Sequence, residues 1–318
     1  MRKLVSIIVP CFNEEKSLPL FYDSTRIVID SLSEYDWELL FINDGSKDNT
    51  IEVLNSFFEK DNRIVIVDLA RNFGKEHAML AGFDYVRGDC AIIMDADLQD
   101  PPSLISTLLA NWENGYQDVY AKRNLRGKES WIRRKLSVLF YSLLVKSTRY
   151  EVLPNVGDFR LLDRKCINAL KQLRENDRYT KGLFCWIGYK KKEIEFNRGD
   201  RVAGQSKWGY SALFNLAIEG ITCFTTTPLR IATIVGLIIA IWALGYMAWI
   251  ILKVIVWGDP VAGYPTIMTV MLFLGAVQLI AIGILGEYIG RIFNETKNRP
   301  TYLVNDYKRH QNRDKDDE

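Results

Sequence analysis

Short β-branched or wholly apolar runs alternate with stretches whose apolar positions recur at helical spacing, and that alternation dominates the first third of the chain. Val5-Ser6-Ile7-Ile8-Val9 reads as a buried strand. It ends in Pro10-Cys11-Phe12-Asn13-Glu14-Glu15, where an Asn followed by acids suits a helix N-terminus, and an amphipathic stretch follows to about Leu32. Trp37 to Ile42 is the next strand. The Gly-, Asp- and Asn-rich turn Asn43-Asp44-Gly45-Ser46-Lys47-Asp48-Asn49-Thr50 comes after it and opens a helix through Phe58. Arg63 to Leu69 is a third strand, followed by Arg71-Asn72-Phe73-Gly74-Lys75 and a helix to about Val86. Ala91-Ile92-Ile93-Met94 and Asp118-Val119-Tyr120-Ala121-Lys122 supply a fourth and a fifth.

Strands alternating with helices imply right-handed crossovers and a mostly parallel α/β sheet. Polar turn residues gather after each strand, which places Asp44, Lys75, Asp95 and Asp97 along one rim. That is the edge where open α/β sheets bind ligands. In Asp95-Ala96-Asp97-Leu98-Gln99-Asp100-Pro101-Pro102 the prolines suit the first turn of a helix. Two acids one residue apart can approach one divalent cation, and Gln99 adds an oxygen. Hard cations such as Mg²⁺ take few protein carboxylates and complete their shell with water and substrate phosphates. Taken alone, the same residues also fit a solvated Asp-rich turn, as Asp44 fits an Asx-turn and Phe12 a packing role. Neither a G-x-G-x-x-G after the first strand nor a G-x-x-x-x-G-K-[ST] occurs, which argues against a dehydrogenase or a P-loop enzyme.

The turns P-C-F-N-E-E (Pro10 to Glu15), N-D-G-S-K-D-N-T (Asn43 to Thr50) and D-A-D-L-Q-D-P (Asp95 to Pro101), in order after successive strands, resemble glycosyltransferases of family 2. The resemblance implies a GT-A type sheet that binds a nucleotide diphosphate sugar. It implies that Pro10, Phe12, Glu14 and Asp44 hold the base and ribose, with Lys75 on the same donor side. Asp95 would lie by the nucleotide and sugar, and Asp97 and Gln99 would bind Mg²⁺ or Mn²⁺ under the diphosphate.

Composition narrows the setting. A net charge of +2 selects no nucleic-acid partner, so any basic patch is local. Five scattered cysteines without a C-x-x-C argue against a disulfide framework or a zinc site. Of two histidines, His310 falls in a charged tail, so a histidine-based mechanism would have to rest on His77. The start of the chain, Met1-Arg2-Lys3 leading into a short strand, does not read as a signal peptide.

Between Lys122 and Lys135 lie seven basic residues against one acid, Glu129, and then Ile132, Leu136, Leu139, Phe140 and Leu143 recur at helical spacing. That pattern fits a basic amphipathic helix in a membrane interface, or a core-facing helix with a solvated basic edge. A second amphipathic stretch covers Tyr210, Leu213, Phe214, Ala217 and Ile221. Asn155 to Leu161 reads as a polar turn, and Arg198 with Arg201 to Trp208 as a lid over a diphosphate. Ile231 to Leu252 carries no charge, and Pro265 to Gly286 carries only Gln278 as a strongly polar side chain. At 1.5 Å per residue each reaches roughly 33 Å, enough to cross a bilayer. Arg230, Arg291, Lys297 and Arg299 flank these spans, so the positive-inside rule places the sheet in the cytoplasm. The tail from Lys308 is charged and is expected to be disordered.

G-D-F-R (Gly157 to Arg160), A-G-Q-S-K-W (Ala203 to Trp208), N-F-G-K-E (Asn72 to Glu76), E-G-I-T (Glu219 to Thr222) and G-E-Y-I-G-R (Gly286 to Arg291) sharpen the likeness. They resemble the polyprenyl-phosphate branch and, within it, bacterial bactoprenol glycosyltransferases. The expected organisation is a glycosyltransferase domain over 1–228, with interface helices near 131–146 and 208–224. A membrane domain over 229–290 and a cytoplasmic tail over 291–318 complete it. The resemblance implies an inverting transfer of one sugar, with UDP-glucose as donor and undecaprenyl phosphate as acceptor, at the bacterial inner membrane. It assigns Arg123, Arg133 or Arg134, and Ser137 to the lipid phosphate, Arg198 and Lys207 to the donor phosphates, and Asp158 to a general base. It also implies a homotetramer, and a flippase and glycan-modifying transferase downstream. Another donor sugar (N-acetylglucosamine, mannose or a modified pentose), or a catalytically silent nucleotide-binding membrane protein, are the rival readings.

Overall fold

The computed structural model describes residues 2–123, 156–176, 178–196 and 263–310, with isolated helical positions between 234 and 256. The five expected strands form as β1 (Lys3–Cys11), β2 (Tyr35–Asn43), β3 (Ile64–Leu69), β4 (Cys90–Ile93) and β5 (Asp118–Arg123). Between them lie α1 (Leu18–Ser31), α2 (Thr50–Lys60), α3 (Lys75–Tyr85) and, after a short 3-10 turn at Pro102–Leu104, α4 (Ile105–Glu113). The chain continues through β6 (Val156–Asp163), α5 (Arg164–Gln172), α6 (Thr180–Trp186) and β7 (Lys191–Phe196) to α7 (Tyr264–Thr296) and β8 (Val304–Arg309).

The sheet runs in the order β7-β5-β6-β4-β1-β2-β3-β8. The β4-β1-β2-β3 block is parallel, as is the β5–β7 pair, while β6 and β8 pair antiparallel to their neighbours. Central strands are apolar on both faces because both faces are covered. Val5, Ile7, Leu39, Phe41 and Ile92 pack with Leu18, Phe21, Leu54 and Leu108 from α1, α2 and α4. Ile8, Leu40, Ile42, Val65 and Ile93 pack with Met79, Phe83, Ile167 and Phe184 from α3, α5 and α6. The result is three layers, helix–sheet–helix, with the carboxyl ends of β1, β2 and β4 on one edge.

Three expectations are corrected. The first helix starts at Leu18 rather than directly after Asn13, because Asn13 takes a left-handed φ of 56° and the loop continues to Ser17. Residues 156–161, read as a polar turn, belong to β6. There Phe159 and Leu161 alternate with Asp158 and Arg160, and buried Asp118 pairs Arg160 at 3.1 Å. The tail is ordered through His310: β8 closes the free edge of β3, and His310 stacks on Phe58 at 3.8 Å between ring centroids.

Helix α7 outruns its expected span of 265–286, with 33 residues, and would reach about 50 Å. Its stretch Phe273–Thr296 is long and apolar enough to cross a membrane, and Phe273, Leu279 and Ile289 stand exposed along it. The described positions between 234 and 256, Ile238 and Trp249 among them, are helical. The first expected span as a whole, like the interface helices near 131–146 and 208–224, lies outside the described residues.

Candidate active site

Two loops on the carboxyl edge of the sheet are knitted together by side chain–backbone hydrogen bonds. Asn13 Oδ1 accepts from the Lys47 amide at 2.8 Å, and the Asn13 amide donates to Ser46 Oγ at 2.9 Å. The Glu14 amide donates to Thr50 Oγ1 at 2.9 Å, and the Glu15 amide to Asp48 Oδ2 at 3.2 Å. Polar residues in both turns thus satisfy amides that the helix and strand ladders leave open. Phe12 rides on this platform at 43% exposure, so its ring is displayed rather than packed.

Asp44, 3% exposed, joins the second loop to a third. One carboxylate oxygen accepts from the Phe73 amide at 2.7 Å and the other from the Gly74 amide at 2.9 Å. Burial raises its pKa, and the two backbone donors only partly offset that rise. Gly45 makes the approach feasible. Its φ is +61°, and a Cβ there would stand 2.4 Å from the Arg71 carbonyl carbon.

The third loop delivers Lys75. Its ammonium lies 2.6 Å from Asp95 Oδ1, at the end of β4, and 2.8 Å from Asp158 Oδ2, on β6. One lysine therefore bridges two carboxylates that are far apart in the chain. Burial disfavours charge on Lys75 and on Asp158. For Lys75 the two acids outweigh that effect and hold its pKa above the ordinary lysine range. For Asp158 burial is outweighed by Lys75, with help from Lys181 and Arg160, so its pKa falls to about 2. Asp158 Oδ1 is buried and has no hydrogen-bond partner among the described residues.

Beside this cluster the chain turns through Asp97, Leu98 and Gln99. Leu98 takes a left-handed φ of 59°, which a leucine adopts only under constraint. Asp97 and Gln99 are both 8% exposed, and the Gln99 amide donates to Asp97 Oδ1 at 3.1 Å. Gln99 Oε1 is a buried acceptor with no partner among the described residues. No group of three or more His, Cys, Asp or Glu side chains converges as a metal cage among those residues. One carboxylate and one orphaned amide oxygen are nevertheless protein ligands that Mg²⁺ or Mn²⁺ takes when phosphates and water complete its shell.

Of the other expected site residues, Pro10 and Glu14 lie on the β1 side of the platform, where Ser17 Oγ donates to the Glu14 carboxylate. Arg123 ends β5. Arg133, Arg134, Ser137, Arg198 and Lys207 lie outside the described residues. Sequence reasoning missed Glu76 and Lys181. Glu76 Oε2 accepts from the Thr180 amide at 2.8 Å, and Lys181 acts on both Asp158 and Glu76. The run Lys75-Glu76-His77 at the start of α3 was the available signal for Glu76.

Two family models match the chain: glycosyl transferase family 2 over 6–170 and the GtrB C-terminal hairpin over 227–292. A bactoprenol glucosyl transferase of Shigella phage SfX is 46% identical over 94% of this chain and 98% of its own. An uncharacterised glycosyltransferase of Synechocystis is 45% identical over 95% of both chains. A prophage bactoprenol glucosyl transferase homolog of Escherichia coli K12 is 44% identical over 94% and 98%.

Proposed function

The chain belongs to glycosyl transferase family 2, and from that premise we propose that it moves one glucose from UDP-glucose to undecaprenyl phosphate, inverting the anomeric carbon. One observation carries the reading: near-end-to-end likeness to bactoprenol glucosyl transferases spans both the sheet domain and the C-terminal hairpin. The rim geometry agrees with it. Phe12 is displayed for a base, and the loops anchored by Asn13, Asp44 and Gly45 form a floor for the ribose. Asp97 and Gln99 would hold Mg²⁺ or Mn²⁺, which when bound stabilises the charge growing on the departing nucleoside diphosphate.

The acceptor oxygen attacks from the face opposite the leaving group. A phosphate monoester has its second pKa near 6, so the lipid phosphate is already a nucleophile at neutral pH. Lys75 would hold Asp95 and Asp158 beside the anomeric centre, where carboxylate charge favours the positive character that carbon gains. Arg123, Arg133, Arg134 and Ser137 take the lipid phosphate, and Arg198 and Lys207 the donor phosphates.

The exposed apolar length of α7 supports a membrane setting, since a helix apolar all round needs lipid or protein about it. On this reading 231–252 and α7 are two spans, the sheet lies at the cytoplasmic face of the bacterial inner membrane, and the chain is a homo-oligomer. The product then passes to a flippase and a glycan-modifying transferase. Purified protein with UDP-glucose, Mg²⁺ and undecaprenyl phosphate should yield a chloroform-soluble monoglucosyl phospholipid, β-linked, and free UDP. An α-linked product refutes the direct displacement, and glucose recovered only in water refutes the lipid acceptor.

A further inference from the structure

His77 has no part in the chemistry above, yet its ring lies between two backbone carbonyl oxygens, and it bonds both at once only when both ring nitrogens carry hydrogen. Nδ1 lies 2.9 Å from the Phe73 carbonyl oxygen and Nε2 lies 3.1 Å from that of Asn176. Phe73 is the residue whose amide Asp44 grips, so the loop carrying Lys75 is fixed from opposite directions by Asp44 and His77. Asn176 is fixed in turn by the last turn of the long apolar helix. Glu295 accepts from its amide at 3.1 Å and from its side-chain Nδ2 at 3.0 Å. The neighbouring Glu76 holds the same 176–180 segment through the Thr180 amide.

We infer that His77, Asn176 and Glu295 form a strut that sets the Lys75 loop in register with the C-terminal end of α7, and that His77 is a positioning residue for donor binding. A second route runs the same way. Asn305 of β8 donates to Asp68 at 2.8 Å, Asp68 accepts from Asn43 at 2.7 Å, and Asn43 accepts from Ser46 Oγ at 2.6 Å. The last turn of α7 and the segment that leaves it therefore reach one donor-side loop each. A helix held in lipid and a loop that must meet a soluble nucleotide are linked by side chains rather than by chain continuity. This deepens the proposed donor site and rests on that reading, but not on the identity of the acceptor.

The test uses the full chain in detergent or nanodiscs and reads UDP affinity with Mg²⁺ by calorimetry alongside transfer kinetics. His77→Ala should raise the UDP Kd and the donor KM by about fivefold, the worth of one net hydrogen bond, and leave the lipid KM unmoved. His77→Gln, which keeps one donor to a carbonyl, should recover most of the loss. Glu295→Ala should cost about two- to threefold on its own, because its bonds are solvent-exposed, and nothing further in the His77→Ala background. Additive losses, equal effects on both substrates, or no rescue by His77→Gln with an unchanged melting temperature would each overturn the strut. If the wild type makes no glucolipid while the UDP affinities still follow this pattern, the acceptor assignment falls and the strut stands.

Discussion

Asp158→Asn separates two roles for the carboxylate on β6 by magnitude. As a general base its loss would remove a proton acceptor, which costs about 10²- to 10⁴-fold in rate. As the anchor of Lys75 its loss removes charge but keeps an oxygen within reach of the ammonium. A charge-assisted hydrogen bond is worth about 1.5–3 kcal/mol when buried. Lys75 is 42% exposed on its side chain, so solvent screening reduces that figure, and about 1 kcal/mol, or fivefold, is the expected loss in kcat/KM. The low pKa argues for the second role. A carboxylate at about 2 is charged through the neutral range but holds a proton too weakly to serve as a base there. The acid limb of kcat/KM should instead follow the acceptor phosphate near pH 6 and keep its midpoint in Asp158→Asn. The assay is glucolipid formation from pH 5 to 8 with saturating Mg²⁺. A loss beyond about 10²-fold, with the acid limb abolished, would show that Asp158 takes the proton.

Stability supplies a second readout at the same residue. The folded pKa is depressed from 3.8, so the contribution is present above that value and fades as pH falls towards about 2. It amounts to about 2 kcal/mol at most, and the melting temperature of Asp158→Asn should fall less than that of the wild type between pH 6 and 3. Gly45→Ala should cost at least about 2 kcal/mol in a denaturant melt, because its Cβ meets backbone and its φ is left-handed; a change under about 0.5 kcal/mol would contradict the close approach. Asp97→Asn should abolish turnover and remove the divalent-cation dependence of UDP binding, and full wild-type activity in EDTA would refute a metal there. Replacing Arg133 and Arg134 together by Ala should raise the KM for polyprenyl phosphate with UDP binding unmoved; an equal loss for both substrates would mean a damaged fold.

What could be read from the sequence follows from what local pattern encodes. Strands β1 to β4 are legible because both faces of the sheet are covered, leaving short apolar runs with polar turns at one end. The same punctuation places Asp44, Lys75, Asp95 and Asp97 on one edge. Strand β6 is hidden because Asp158 and Arg160 occupy the inward positions of one face, and only the distant Asp118 makes a buried arginine tolerable there. Strand β8 is hidden for a different reason. Val304-Asn305-Asp306-Tyr307-Lys308-Arg309 is a polar edge strand whose partner, β3, lies far back in the chain. Arg309 reaches Glu38 and Lys308 reaches Asn55 at 2.9 Å, so charges that read as a solvated tail are its attachment. The bridge of Asp95 and Asp158 through Lys75 is of this kind too, since nothing local announces that β6 will lie beside β4.

Charge balance at the rim then bears on how the donor binds. Asp95 and Asp158 hold Lys75 between them and Asp97 follows two residues after Asp95, while Asp158 and Lys75 are both kept in their charged forms at neutral pH. A nucleoside diphosphate arrives beside these acids with negative charge of its own. Like charges roughly 4 Å apart repel by about 4 kcal/mol where water is partly excluded. A donor of this kind settles on the rim more readily together with added positive charge. On the proposed reading, the Asp97–Gln99 turn offers one place for it, as a divalent cation carried by the diphosphate. If the cation supplies most of that positive charge, UDP affinity in EDTA should fall by far more than the loss of two coordinate bonds, and raising ionic strength should recover part of it by screening the acids. Uridine, which brings no phosphate charge, should bind equally with and without Mg²⁺. A magnesium requirement for uridine would mean that the cation organises the loops themselves rather than neutralising the donor.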